Sequence, residues 1–263
     1  MRPLGSRRRA WWHPLVVLLA LGATPAAAQA PTGPRPDSQR APTPDFFLRE
    51  PLGTIGVRTG WLFAREGSDL FDFVERQLTI DRGAFSTPSF TAELGIALTP
   101  RLDIVVGLDA SKASVSSEYR DYVDNNRLPI AQTTSLQQVN VTGSIRMALL
   151  PRVDGISRFA WIPRRVTPYV GAGAGAMRYE FRQQGDFVDF EDLSVFADDF
   201  VSRGWTPSAH VFGGGDIRAY RRLYFTLEGR YTWAAADLDR TFVDFDPIDL
   251  AGFRLGAGIN FLF

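Results

Sequence analysis

Apolar and polar residues alternate along most of this chain with period two. In the last thirteen positions, Ala251, Phe253, Leu255, Ala257, Ile259, Phe261 and Phe263 share one face, opposite Gly252, Arg254, Gly256, Gly258, Asn260 and Leu262. Strict alternation over about a dozen residues predicts a β-strand roughly twice as long as a usual soluble one. Seven earlier segments follow the same rule. Ile55, Val57, Thr59, Trp61 and Phe63 oppose Gly56, Arg58, Gly60 and Leu62. Phe90 to Leu98 sets its even positions against Thr91, Glu93, Gly95 and Ala97, and Leu102 to Ala110 opposes Asp103, Val105, Gly107 and Asp109. Val139 to Leu149 opposes Asn140, Thr142, Ser144 and Arg146. In the fifth segment, Tyr169 to Phe181, the run Gly171-Ala172-Gly173-Ala174-Gly175 offers no readable face, and Met177, Tyr179 and Phe181 are set against Arg178 and Glu180. Ala209, Val211 and Ile217 oppose His210, Asp216 and Arg218; Leu223, Phe225, Leu227, Tyr231 and Trp233 oppose Thr226, Glu228, Arg230 and Thr232.

Connections alternate in length. Thr99 to Arg101 and Tyr220 to Arg222 are short, while the stretches after Arg65, Tyr119, Arg182 and Asp237 are long. Pro151 to Arg165 is a longer link where a short one is expected. The apolar faces could line a soluble core or face lipid. The opposite faces are glycine-rich yet carry charges in mid-strand, and no helical layer exists to cover the apolar side. Closing eight strands with the apolar face outward satisfies every backbone group and leaves no edge. The expected fold is all-β: an eight-stranded antiparallel up-and-down transmembrane β-barrel over residues 52–263. Trp61, Phe90, Tyr179, Trp233 and Phe253 then fall toward the long-loop end, and Tyr169, Phe225, Phe261 and Phe263 toward the other, as two aromatic girdles.

Composition refines this picture. Arg7-Arg8-Arg9, the apolar run Trp11 to Gly22 and Ala26-Ala27-Ala28 make a secretory signal peptide over residues 1–28. Residues 29–51, with six prolines from Pro31 to Pro51, read as a proline-rich periplasmic linker. Acids and bases number 29 each, and Arg2, Arg7, Arg8 and Arg9 leave with the leader, so the exported chain is acidic by four charges. That balance excludes nucleic acid as a partner. The absence of cysteine excludes disulfides, a thiolate metal site and a lipidated cysteine.

Six arginines (Arg58, Arg146, Arg178, Arg218, Arg230, Arg254) and six acids (Glu93, Asp103, Asp109, Glu180, Asp216, Glu228) fall on the expected inward face. An eight-stranded barrel holds little besides its own side chains, so these charges are expected to pair as a plug. A gated narrow pore lined by the same residues is the alternative.

Strand number, alternation, glycine-rich strands such as Pro168 to Gly173 and the terminal Phe263 together resemble the OmpA/OmpX-like eight-stranded outer-membrane β-barrels. The resemblance implies location in the bacterial outer membrane and a barrel-assembly signal at Gly258, Phe261 and Phe263. That signal usually has a polar residue where Gly256 stands. It also implies contacts with outer-membrane lipids and lipopolysaccharide, and with the barrel-assembly machinery and periplasmic chaperones during biogenesis. A peptidoglycan-binding domain, which follows the barrel in some relatives, is not expected after Phe263.

Some barrels of this size are lipid A-modifying enzymes that use Ser, His and an acid. Here Ser208 and His210 share a strand face, but their order is the reverse of the deacylase His-x-Ser and they face inward. No catalytic residue, cofactor or metal is therefore expected. Asp186, Asp189, Glu191, Asp192, Asp198 and Asp199 crowd one long loop among phenylalanines, and Asp237, Asp239, Asp244, Asp246 and Asp249 crowd another. Their oxygens could hold divalent cations, though no Ca²⁺-loop spacing is present. With Leu70-Phe71-Asp72-Phe73-Val74, these loops suggest an adhesion-like surface for a protein ligand on a monomeric, structural or surface-interacting barrel.

Overall fold

The structure, a computed structural model, describes residues 51–124, 127–157, 160–190, 192–242 and 245–263. The expected signal peptide and all of the linker but Pro51 lie outside these residues. The barrel strands are β1 (Gly53–Ala64), β2 (Thr87–Thr99), β3 (Leu102–Val123) and β4 (Pro129–Ala148), followed, after two short strands described below, by β7 (Val166–Val188), β8 (Val195–Tyr220), β9 (Leu223–Ala236) and β11 (Gly252–Leu262), with the two-residue β10 (Ile248–Asp249) paired to the end of β9. Each pairs antiparallel with the next, and β11 pairs with β1 from Ala64↔Gly252 to Thr54↔Leu262, so the sheet closes on itself. Closure removes the free edges that an open sheet would leave. Beyond the last register pair, Phe263 N donates to Gly53 O at 3.0 Å and Leu52 N donates to Phe263 O at 2.7 Å, extending the seam.

The two faces of the ring sort as the alternation requires. Ile55, Val57, Phe90, Leu94, Ile104, Val106, Val141, Ile145, Phe225, Leu227, Leu255 and Ile259 are all exposed, while Arg58, Glu93, Asp109, Arg146, Glu228 and Arg230 are buried. A polar interior inside an apolar exterior is the arrangement for lipid, the inverse of a soluble barrel. The chain is thus an eight-stranded transmembrane β-barrel of the outer-membrane type. Among the described residues no helix is long and apolar enough to cross a membrane.

Three expectations need correction. Arg178 and Glu180 do not enter the lumen: on β7 it is Met177, Tyr179 and Phe181 that are buried, and Arg178 is exposed. The Gly-Ala run hid an alternation, because Gly171, Gly173 and Gly175 point inward and Ala172, Ala174 and Ala176 outward. The glycines are required there, since a Cβ at Gly171 would overlap the Phe212 ring and one at Gly173 would overlap Gly143 O. By the same parity Tyr169 and Tyr179 are lumen residues rather than girdle residues.

The loops after Tyr119 and Arg182 are largely strand. β7 and β8 run for 23 and 26 residues and pair out to Val188↔Val195, past the end of the apolar exterior. Finally, the long link between β4 and β7 folds as a small hairpin of its own, β5 (Val153–Ser157) against β6 (Ala160–Pro163).

The barrel interior and its two ends

Mid-barrel, charges from β1, β2, β3 and β9 converge. Arg58 Nη1 donates to Glu93 Oε2 at 2.9 Å, and its Nη2 reaches Glu228 Oε1 at 3.1 Å. Arg230 donates through Nε to Glu228 Oε1 at 3.1 Å, through Nη1 to Asp109 Oδ2 at 3.1 Å, and through Nη2 to Glu93. Arg254 Nη1 lies 3.4 Å from Asp109 Oδ1, which also accepts from Thr91 Oγ1 at 2.6 Å. Tyr169 Oη donates to Glu228 Oε2 at 2.9 Å, and the Arg230 guanidinium covers the Phe212 ring at 4.9 Å. Such a network repays the desolvation of its charges only because nearly every oxygen and N–H finds a partner.

Toward the short-turn end a second group forms. Arg146 Nε donates to Asp103 Oδ2 at 3.0 Å and Nη2 to Thr54 Oγ1 at 2.8 Å. Asp103 is also grasped by Arg152, through Nη1 at 2.8 Å and again through Nη2. Arg152 immediately precedes β5, so the small hairpin sends a guanidinium into this end of the barrel. Beside it, Asp216 Oδ1 accepts from Thr226 Oγ1 at 2.6 Å and from Asn260 Nδ2 at 3.0 Å.

Sequence reasoning missed Arg152, which lies in a connection rather than a strand. With Arg178 and Glu180 outside and Arg218 only half-buried, Arg58, Arg146, Arg230 and Arg254 face Glu93, Asp103, Asp109, Asp216 and Glu228. Arg152 supplies the fifth positive charge.

The long-loop end is closed differently. Helix α1 (Asp69–Gln77) lies in the loop between β1 and β2 and buries Leu70, Phe71 and Val74. Those positions fall on one helical face. They join Phe85, Met177, Tyr179, Phe181, Phe242, Ile248 and Leu250 in an apolar core. Phe181 meets Phe71 edge-on at 6.3 Å and Phe242 at 5.6 Å. The Leu70-to-Val74 stretch, expected to belong to an adhesive surface, therefore turns most of its apolar side chains inward as a stopper.

The other expected sites resolve residue by residue. Ser208 Oγ donates to Asn140 Oδ1 at 2.9 Å and not to His210. His210 Nε2 instead lies 2.8 Å from Ser144 Oγ, deep in the lumen, and no hydrogen-bonding partner meets its Nδ1 among the described residues. A nucleophile–base–acid relay thus lacks its third member there.

The loop acids are spread over turns and strand ends. Asp199 pairs with Arg182, whose Nε donates at 2.7 Å; Asp192 Oδ1 accepts from Ser194 N at 2.9 Å; Asp239 Oδ2 accepts from Arg203 N at 3.1 Å; and Asp249 accepts from Gly67 N and Ala251 N. Among the described residues no three such groups gather as a metal site. Glu191 and Asp244 lie outside the described residues. Phe261 on β11 and Phe263 just past its end are exposed on the lipid side. At Gly258 a Cβ would overlap Val57 O and Arg58 Cα across the seam.

No family model matches the sequence, and no curated protein matches it. Among solved structures, the chain is similar to Neisserial surface protein A (NspA), with 14% identity, a TM-score of 0.47 and coverage of 81% of this chain and 97% of that one. It is also similar to the outer membrane protein OprG from Pseudomonas aeruginosa, at 11% identity and a TM-score of 0.45 over 82% and 99% of the two chains. A third similar structure is the outer membrane protease OmpT from Escherichia coli, at 11% identity and a TM-score of 0.37 over 84% and 99%. All three are bacterial outer-membrane barrels, and likeness at this level leaves the role of this chain open.

Proposed function

We propose that the protein is an outer-membrane barrel with a closed lumen, oriented with its long loops outward, whose role is structural or surface-interacting rather than catalytic or conductive. The observation that carries this reading is triple closure along the axis: the Arg152 hairpin at one end, the Arg58–Glu93–Arg230–Glu228 network in the middle and the α1 stopper at the other. A narrow gated channel would have to break mid-barrel ion pairs, and lipid A chemistry at Ser208 and His210 would have to proceed away from lipid. Signal-peptide cleavage leaves residues 29–51 as a periplasmic linker, and the assembly machinery reads Gly258, Phe261 and Phe263 during insertion.

A protein partner is the natural ligand of the loop tips. Leu128, Phe190 and Leu193 are exposed at the ends of two neighbouring hairpins, and Tyr122 joins the hairpins through an edge contact with Phe190 at 5.8 Å. Apolar side chains gathered at a water-facing tip mark contact surfaces.

The test is conductance. The chain from Gln29, refolded in detergent and shown to migrate faster unboiled than boiled, should give no steady current in a planar bilayer. Discrete steps that change when Glu228→Gln is introduced would replace this reading with the channel.

A further inference from the structure

One buried carboxylate takes no part in the lumen network. Glu66 lies just past the end of β1, beyond the apolar exterior, and is only 3% exposed. Its backbone sits in the left-handed region, at φ 53°, a conformation that costs a side-chain-bearing residue energy. From there the carboxyl reaches back across the loop: Oε2 accepts from Gly83 N at 2.7 Å and Oε1 from Phe85 N at 3.0 Å. Gly83 is left-handed as well, at φ 87°, and Ser86 N donates to its carbonyl at 3.0 Å, closing the turn that leads into β2. The carboxylate thus clasps the exit of β1 to the entry of β2, and residues 67–82, α1 among them, hang from that clasp. Phe85, whose N–H it holds, packs its ring against Phe71 of α1 at 5.2 Å.

Among the described residues no cation pairs with Glu66. Arg82, on the adjoining turn, is exposed and donates to Glu75 at 3.3 Å and Asp72 at 3.4 Å, while Arg65 is turned toward Asp249 at 3.6 Å. Glu75, on α1, presents a like charge. Two backbone N–H groups satisfy the oxygens of Glu66 without neutralising them. Burial pushes its carboxyl above the usual glutamate range; the bonds from Gly83 and Phe85 oppose that push, Glu75 adds to it, and Arg82 weakly opposes it.

We infer that Glu66 is a pH-sensitive latch of the barrel mouth, holding the α1 stopper more firmly in acid than at neutral pH. With the mouth closed, the carboxyl binds its proton more tightly than it does once the loop opens to water, where glutamate titrates at about 4.3. Closure is therefore favoured most below that ordinary value, and the gain is lost as pH rises through the higher value of the closed state. At neutral pH the clasp carries a buried charge with no counter-charge, and α1 lifts more often. Asp69, which accepts from Asp246 N at 3.1 Å, and Asp249, which accepts from Gly67 N at 3.2 Å, face the same mouth, so the share owed to Glu66 is what its own substitution removes. With the long loops outward, as proposed above, the pH that the latch reads is that of the medium outside the cell.

The experiment is hydrogen exchange, read by mass spectrometry on the chain from Gln29 refolded in micelles, at mildly acidic and at neutral pH. Protection of residues 65–86, corrected for the intrinsic exchange rate at each pH, should rise several-fold on acidification of the wild type. Glu66→Gln, neutral at every pH, should be protected at neutral pH as strongly as the wild type is in acid, and should change far less with pH. Glu66→Ala, which lacks the acceptor as well as the charge, should be poorly protected at both. Strand protection and the heat-dependent gel shift should be alike in all three, which separates loss of the latch from loss of the barrel. The reading depends neither on conductance nor on orientation in a membrane, so it stands apart from the test of the closed lumen. Wild-type protection that stays level or falls in acid, or a Glu66→Gln variant that keeps the wild-type pH dependence, overturns the latch. Equal protection of Glu66→Ala and Glu66→Gln overturns the clasp on which it depends.

Discussion

Charge inside the barrel is balanced residue by residue, and the balance can be tested the same way. Arg230 touches Asp109, Glu93 and Glu228, so Arg230→Met takes one cation away from three buried carboxylates and leaves only Arg58 and Arg254 to face them. Removal of one partner from a buried ion network costs about 3–5 kcal/mol. Urea unfolding in micelles should show a loss of that order. Arg178→Gln should change the same midpoint little, because Arg178 is exposed.

Glycines allow an equally sharp contrast. At Gly258 an added methyl overlaps backbone on β1, whereas at Gly143 it meets nothing within 4 Å. Gly258→Ala should reduce the fraction of protein that refolds to the fast-migrating form, and Gly143→Ala should leave it unchanged.

Among elements, α1 turned out to be a lid rather than part of an adhesive surface. Its amphipathic pattern was present in Leu70, Phe71 and Val74, but a nine-residue helix has no stability of its own and takes its place from what it packs on. Phe71→Ala removes the ring between Phe85 and Phe181 and should destabilise the cap by about 3–5 kcal/mol. Limited proteolysis should then cut between β1 and β2 while the strands stay protected.

The β7–β8 hairpin yields a pH prediction. Hydrogen bonds from Arg182 hold the Asp199 carboxyl below the usual aspartate range. The folded pKa is thus depressed, and the pair's contribution is present above the ordinary aspartate value of about 3.9 and is lost as pH falls through the lower folded value. An NMR titration of the Asp199 carboxyl should show that low midpoint, and Arg182→Gln should raise it. The inverted parity of β7 was the other element hidden from the sequence. Glycine and alanine are both small, so their alternation carries no hydrophobic signal, and only Phe212 and the neighbouring strand reveal which of the two must point in.

For the whole molecule, closure at three heights means that opening one should not make a pore. Arg152→Ala frees the Asp103 end, yet the mid-barrel network and the α1 core remain. Planar-bilayer recordings of this variant should be as silent as those of wild type. Steady current from Arg152→Ala alone would mean that the hairpin is the sole barrier.

The sequence by itself determined the strand number, the facing of seven of the eight strands and the lipid-facing exterior, because period-two alternation is a local property and lipid demands it along the full height of each strand. It also marked most of the lumen charges, since a charge opposite an apolar face has only the interior to occupy. Tertiary structure alone decided the rest. Arg152 reaches Asp103 from a connecting hairpin, α1 folds back into the mouth, and β7 and β8 continue past the apolar exterior. Each depends on which strands become neighbours and at what register, and those are set only when the ring closes.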